Sequence, residues 1–251
     1  MSTATYDLAS HGPEKTLDPG GRLLNVFVAP AQTFTAVRRN RSWWLPFLIT
    51  VFCTYTFSAV AVSKVGFHQL VVNTMKDDPV TASQLSEMSP EQQASSLGMM
   101  ETEMKVGMIS TPLLVLLYNV GYALLLLVCI NVLLDGKADF HGLFAMLLYA
   151  DLIQNVKPIM SMALLFVSKD PSDFSMQNPV ATNAAFFLDP GAAGWLKTLA
   201  NSMDLVTVWY LAVISVGCAI VARVKRGQAA FVVFSTWLLI VSIRAAWAAL
   251  S

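Results

Sequence analysis

The sequence predicts an all-α integral membrane protein with five transmembrane helices, a short N-terminal interfacial helix and two extramembrane loops that contain short helices. Hydrophobic residues make up 55% of the chain and charged residues only 13%, whereas a soluble domain carries about 25% charged residues. The hydrophobic residues are concentrated in long runs, and about 20 of them are enough to cross roughly 30 Å of hydrocarbon. These run lengths exclude a soluble globular fold.

Five hydrophobic runs have the length of a membrane span. The first begins with Trp43 and Trp44, and paired aromatic residues are typical anchors at the level of the lipid headgroups. Short polar turns separate the second span from the third and the fourth from the fifth, so each of these pairs forms a hairpin. The predicted spans are residues 43–63, 106–134, 140–168, 204–222 and 229–250.

The N-terminal region divides into two parts. Residues 1–21 have no hydrophobic periodicity and predict a disordered cytoplasmic tail. Residues 22–37 combine hydrophobic positions with Pro30, where a short helix can begin. This helix either lies flat at the membrane surface or packs on the bundle, and the sequence leaves both alternatives open.

Two long polar segments, residues 64–105 and 169–203, interrupt the spans. In the first, Ser89 and Gln92 form a capping-box pattern around Pro90, which predicts a short extramembrane helix that ends near Glu103. In the second, residues 195–201 predict a further helical turn.

Positive charge predicts the orientation. Lysine and arginine are frequent before the first span and in the turn after the fourth, whereas both long loops are rich in acidic residues. The positive-inside rule therefore places the N-terminus in the cytoplasm. Five spans then place the C-terminus and both long loops outside, across the plasma or inner membrane if the protein is bacterial.

The chain shows no motif of an enzyme or a cofactor site. It lacks HExxH, GxSxG, a glycine-rich phosphate loop and CxxC, and its three histidines lie far apart in the sequence. We therefore predict a non-enzymatic protein without a cofactor or a metal. The formal net charge of zero gives no indication of nucleic-acid binding. The expected partners are the lipid bilayer and either other membrane proteins or further copies of this chain.

A polar cluster interrupts the third span: Asp151, Gln154, Asn155 and Lys157. The first three share one helix face, which should face the bundle interior or a wet cavity. One interpretation is a path for an ion, a proton or a small ligand. The other, which the sequence favours, is structural hydrogen bonding to neighbouring spans, for example to Asn119 in the second, at roughly 0.6 kcal/mol per bond.

A second polar feature belongs to the hairpin of the fourth and fifth spans. Counted outward from the turn near Lys225, Asp204 and Arg244 reach similar depths, within about one helical turn. We therefore predict an Asp204–Arg244 ion pair that holds the hairpin together rather than acting as a switch.

Four stretches, in this order and spacing, resemble the Yip family of membrane proteins, which is named for interaction with Ypt/Rab GTPases. The resemblance covers roughly residues 22–250 and assigns residues 22–251 to one Yip-type membrane domain. The stretches are RLLNVFVAPAQTF, SWWLPFL, DGKADFHGLFAMLLYA and FFLDPGAAGWLKTLANSMDLVTVWYLAVISVGCAIVARVKRGQA.

The resemblance implies a five-span bundle with a cytosolic N-terminus that acts in membrane organisation or protein interaction. Eukaryotic relatives act in vesicle traffic and carry an Asp-Leu-Tyr-Gly-Pro-like stretch near the N-terminus. Here Tyr6-Asp7-Leu8 does not continue that stretch, so binding of a Rab-type GTPase is not supported. The chain resembles the bacterial branch more closely. The family's Tyr-Ala-x-x-Pro pattern remains as Tyr149-Ala150, with the proline displaced to Pro158.

Overall fold

The computed structural model describes residues 17–76, 79–168, 170–172, 174–176, 179–189 and 191–250. Within these ranges the chain is helical and contains no strand. Five of the described helical segments are long and hydrophobic enough to cross a bilayer. The predicted all-α membrane fold with five spans is therefore confirmed.

Two short helices, α1 (Pro19–Val28) and α2 (Pro30–Arg39), precede the first span. The side chain of Asp18 caps α1 by accepting a hydrogen bond from the N–H of Gly21 at 3.2 Å. The end of the predicted tail is thus helical, while residues 1–16 lie outside the described part of the chain. Pro30 begins α2, as predicted.

The hydrophobic face of α1 and α2 is buried in the protein. Val26, Phe34 and Val37 have no exposed surface, and α2 packs against the fourth span. Arg38 donates a hydrogen bond from its Nη1 to the carbonyl of Ile220, at the end of that span, at 3.2 Å. Of the two alternatives that the sequence left open, the structure therefore supports packing of this face on the bundle.

The five spans follow in the predicted order, whereas two short helices in the first long segment, residues 67–76 and 79–86, were not predicted. The third span consists of two helices, α7 (Phe140–Ala150) and α8 (Val156–Val167), joined by a turn of 3-10 helix at Asp151–Ile153. The elements are α3 (Trp44–Val65), α4 (Phe67–Lys76), α5 (Pro79–Ser86), α6 (Pro90–Leu133), α7 (Phe140–Ala150), α8 (Val156–Val167), α9 (Gly194–Ser202), α10 (Leu205–Ala222) and α11 (Arg226–Leu250).

The largest difference from a predicted boundary is in α6. The capping box at Ser89 and Gln92 is present, and α6 begins there as expected. The helix does not end near Glu103, however, but continues through the whole second span as one helix of 44 residues. At 1.5 Å per residue it is about 66 Å long, roughly twice the hydrocarbon thickness. Its N-terminal part therefore extends beyond the membrane.

The bundle is built around α10, which packs against α2, α7 and α11. Gly217 allows this close packing, because a Cβ atom there would lie 2.6 Å from the side chain of Met146 on α7. We call the end of the bundle with residues 134–139 and 223–225 the turn end. The opposite end, with the described parts of the long segments 66–89 and 168–204, is the loop end.

Candidate intramembrane polar site

The third span is interrupted where its polar residues begin. A proline ring cannot donate a backbone hydrogen bond, so Pro158 leaves the carbonyl of Gln154 without its usual helical partner. The N–H of Lys157 reaches this carbonyl instead, at 3.3 Å. The chain passes through a 3-10 turn and resumes the helix at Val156. The predicted break in this span is thus present.

Asp151 lies at the centre of the bundle and connects three spans. Its side chain is only 8% exposed. Oδ1 accepts a hydrogen bond from the hydroxyl of Tyr210 on α10 at 3.0 Å, and Oδ2 accepts one from Nδ2 of Asn119 on α6 at 2.7 Å. Both oxygens of the carboxyl group therefore act as acceptors. Among the described residues, no Lys, Arg or His forms an ion pair with Asp151.

Asn119 has one polar atom without a partner. Its Nδ2 also donates to the backbone carbonyl of Val115 at 2.9 Å. Because that carbonyl only accepts hydrogen bonds, the nitrogen must lie on this side of the amide, and Oδ1 is on the other. Oδ1 is buried and has no hydrogen-bond partner, and Asn119 is only 1% exposed. Leaving such an atom unsatisfied costs about 1–3 kcal/mol.

Asp151, Gln154 and Asn155 line the same cavity between the helices, which has a volume of about 480 Å³ and opens beside the exposed side chains of Leu114 and Tyr118. Asn155 is buried and donates from Nδ2 to the hydroxyl of Thr50 on α3 at 3.0 Å. Gln154 is half-buried. Three of the four predicted cluster residues are thus brought together, on one cavity wall, together with Asn119.

A second cavity of about 470 Å³ lies beside the first. Both cavities are lined by Thr54 of α3 and Thr111 of α6, so they meet between these two helices. The second cavity extends to the loop end and is lined mainly by apolar side chains, among them Phe57, Met104 and Met108. We call the first the polar cavity and the second the methionine cavity.

Lys157, the fourth predicted residue, points away from the polar cavity. Its Nζ lies 2.9 Å from Oδ1 of Asp204, the residue directly before α10. Asp204 is 2% exposed at its side chain and Lys157 is 31% exposed. Asp204 also accepts hydrogen bonds from the hydroxyl of Thr182 at 2.6 Å and from the N–H of Thr207 at 2.9 Å.

These contacts favour the ionised form of the Asp204 carboxyl group. Burial raises its pKa, but the hydrogen bonds from Thr182, Lys157 and the N–H of Thr207, together with the charge of Lys157, outweigh burial, so that the pKa lies below its ordinary value. The ion pair therefore joins the third span to the start of the fourth at the loop end.

The predicted Asp204–Arg244 ion pair is wrong. Asp204 is paired with Lys157 instead, and Arg244 is exposed on α11. Counting residues along the hairpin gives the depth of a side chain but not the direction in which it points. Asp204 faces the bundle interior, whereas Arg244 does not.

Tyr210 is the residue of the candidate site that the sequence reasoning missed. It lies twelve positions from Ala222, and Asp151 lies eleven positions from Phe140, so both are at the same depth from the turn end. A comparison of depths across the third and fourth spans would have paired them. The same comparison would have paired Lys157 with Asp204.

Together, the spans and the buried polar site define a multi-pass α-helical membrane protein with a polar cavity between its helices. The Yip1 domain family matches residues 24–247, nearly the whole chain. The chain belongs to the Yip1 family, as its resemblance to that family implied. No curated protein and no solved structure matches it.

Proposed function

We propose that this Yip1 family member is a non-enzymatic protein that acts in membrane organisation through contact with other membrane proteins. The proposal is supported chiefly by the face of α3 that points away from the bundle. Leu48 and Phe52 on this face are 52% and 74% exposed. Large exposed hydrophobic side chains of this kind suit either lipid or a neighbouring helix.

The shape of this face favours a neighbouring helix. A shallow groove of about 770 Å³ runs along α3, and its lining includes Thr56, Ala59 and Ser63. Small residues and hydroxyls let two helix backbones approach closely in a membrane. A groove is filled by a convex surface and not by a second identical groove. We therefore propose a transmembrane helix of a different protein as the occupant.

A photo-crosslinking amino acid at position 59 tests this contact in intact membranes. We expect one discrete adduct with another membrane protein, because Ala59 lines the groove. The adduct formed from the neighbouring position 63 should be lost when Ala59→Trp fills the groove. The matched control carries the crosslinker at Leu239, an exposed residue of α11, and should give no discrete adduct. Equal adducts from both positions, or an adduct of the mass of two copies of this chain, would refute the proposed contact.

We also propose that the N-terminus and the turn end face the cytoplasm and that the loop end lies outside. Arg41 forms an ion pair with Asp139 at 3.1 Å, which ties the arginines before the first span to the turn end. Arg223 and Arg226 lie at the same end. A concentration of positive charge at one end supports this orientation.

A membrane-impermeant thiol reagent tests this orientation. It should label a cysteine introduced at Ser96 from outside, but not one introduced at Gln228.

A second candidate function is a small transporter or channel subunit. The specific observation in its favour is the polar cavity, which has a buried carboxyl group and the unpartnered Oδ1 of Asn119 on its wall. Ionisable groups inside a bundle commonly mark the paths of ions and substrates.

Flux measurements separate the two candidates. If the second is correct, vesicles containing the protein should show movement of ions or protons that Asp151→Asn abolishes. Glu91→Gln, which removes an exposed carboxyl group far from the cavity, is the matched control and should leave the flux unchanged. If the wild-type protein shows no flux above empty vesicles, only the first candidate stands.

A further inference from the structure

We infer that the two adjoining cavities form one binding site for an amphipathic primary amine, with its ammonium group at Asp151 and its hydrocarbon part in the methionine cavity. This inference rests on the second candidate function and names the chemical class of its ligand. It is carried by the polar groups of the first cavity and by the mainly apolar walls of the second, on which Glu103 is the one charged residue.

The polar cavity presents acceptors that a positively charged donor would satisfy. Asp151 is only 8% exposed. Its two hydrogen bonds come from the neutral groups of Tyr210 and Asn119. A buried carboxylate without a cation is unfavourable, whereas one paired with a cation and fully hydrogen-bonded is tolerated. Among the described residues, no cation provides this pairing.

The unpartnered Oδ1 of Asn119 supplies a second acceptor. The Nδ2 atom of this amide is held by Val115 and Asp151, so the side chain cannot turn over to hide its oxygen. An ammonium group has three N–H donors and no acceptor. One donor can satisfy Asp151 and another Oδ1 of Asn119. The amide of Gln154, on the same cavity wall, is available to the third.

The size and the walls of the site favour an organic cation over a bare metal ion. A volume of about 480 Å³ is in the range of small-molecule sites and far larger than an ion needs. Leu114 and Pro158 also line the polar cavity, and an inorganic ion gains nothing from such walls. The ring of Tyr118 on the same wall can stabilise an ammonium group by a cation–π contact.

The methionine cavity continues the site toward the loop end. It meets the polar cavity at Thr54 and Thr111 and is lined by Met104, Met108 and Phe57. Methionine side chains are flexible and polarisable, and they adapt to apolar ligands of different shape. A hydrocarbon chain attached to the ammonium group would lie here.

Binding of radiolabelled octylammonium to the full chain in lipid nanodiscs tests the inference, with empty nanodiscs as the background. We expect saturable binding that Asp151→Asn weakens about 100-fold, because the partner of the charge is lost. Glu91→Gln should bind as the wild type does. Octanol lacks the charge and should not compete with octylammonium. Octyltrimethylammonium lacks N–H donors and should compete at least tenfold more weakly than unlabelled octylammonium.

Two further variants test the placement of the ligand. Met104→Trp narrows the methionine cavity. It should weaken the binding of octylammonium at least tenfold and change the binding of butylammonium less than twofold. Leu114→Trp should block the polar cavity and weaken the binding of both amines. Leu114 is 54% exposed, so this variant should fold even if Asp151→Asn does not, and monodisperse elution of each variant checks folding.

Several results would overturn the inference. One is an equal affinity for octylammonium in the wild type, Asp151→Asn and Leu114→Trp. Another is competition by octanol as strong as that by unlabelled octylammonium. A third is displacement of octylammonium by sodium chloride but not by choline chloride, which would indicate an inorganic ion site. The result is distinguishable from that of the flux experiment. Amine binding without flux would leave a binding site without transport, and flux without amine binding would leave transport with another ligand.

Discussion

Replacing Lys157 with leucine is expected to destabilise the protein by about 3 kcal/mol, the lower end of the roughly 3–5 kcal/mol that breaking a buried ion pair costs. The substitution leaves the carboxylate of Asp204 buried without its cation, and this side chain is only 2% exposed. The lower end applies because Thr182 and the N–H of Thr207 still donate to the carboxylate. Equilibrium unfolding in mixed detergent micelles measures the change.

Two controls make this prediction specific. Lys105→Leu removes a half-exposed partner of Glu101 and should cost at most about 0.5 kcal/mol, as is usual for exposed pairs within a helix. Arg244→Leu removes the partner that the sequence suggested for Asp204 and should leave stability nearly unchanged. In a double-mutant cycle, Lys157→Leu and Asp204→Leu together should cost less than the sum of the two single changes. A full sum, or a large loss in Arg244→Leu, would contradict the Lys157–Asp204 pair.

The second large effect is expected for Phe34→Ala, which should destabilise the protein by about 3–5 kcal/mol, as is usual when a fully buried phenylalanine is truncated. Phe34 has no exposed surface, and it lies where α2 packs against α10, close to Gly217. The cavity left by the truncation cannot be filled by lipid. The same unfolding measurement gives the result.

Leu24→Ala provides the comparison, because Leu24 belongs to α1 but is 73% exposed. This change should remain within about 0.5 kcal/mol, as for most substitutions of exposed residues. A helix pair that only lay on the membrane surface would give similar, small effects at both positions. Equal losses in Phe34→Ala and Leu24→Ala would therefore argue against docking of α2 in the core.

The sequence predicted the spans well because a span is recognised by the length of its hydrophobic run. A run of hydrophobic residues sufficient to cross the bilayer has few alternatives, since only a helix satisfies its own backbone hydrogen bonds in lipid. The bounds of α3 and α10 agree with the predicted first and fourth spans to within two residues. The error in α6 has the same origin. A change from polar to hydrophobic residues near Val106 marks the membrane surface, but it does not end a helix.

The candidate site was predicted in part. Asp151, Gln154 and Asn155 share a helix face, and the structure places all three on one cavity. Asn119 was recognisable as a polar residue of the second span, and it donates to Asp151. The cavity itself could not be predicted, because it depends on how closely α3 and α6 approach each other at Thr54 and Thr111.

The sequence by itself determined where the chain lies along the membrane normal: five spans, a break at Asp151 and charged residues near each end. The tertiary structure decided which side chains meet at each depth. Lys157 pairs with Asp204 and Tyr210 with Asp151, while Arg244 at a matching depth points elsewhere. The physical reason is that rise per residue fixes depth along a helix, whereas rotation about the helix axis is set by packing against its neighbours.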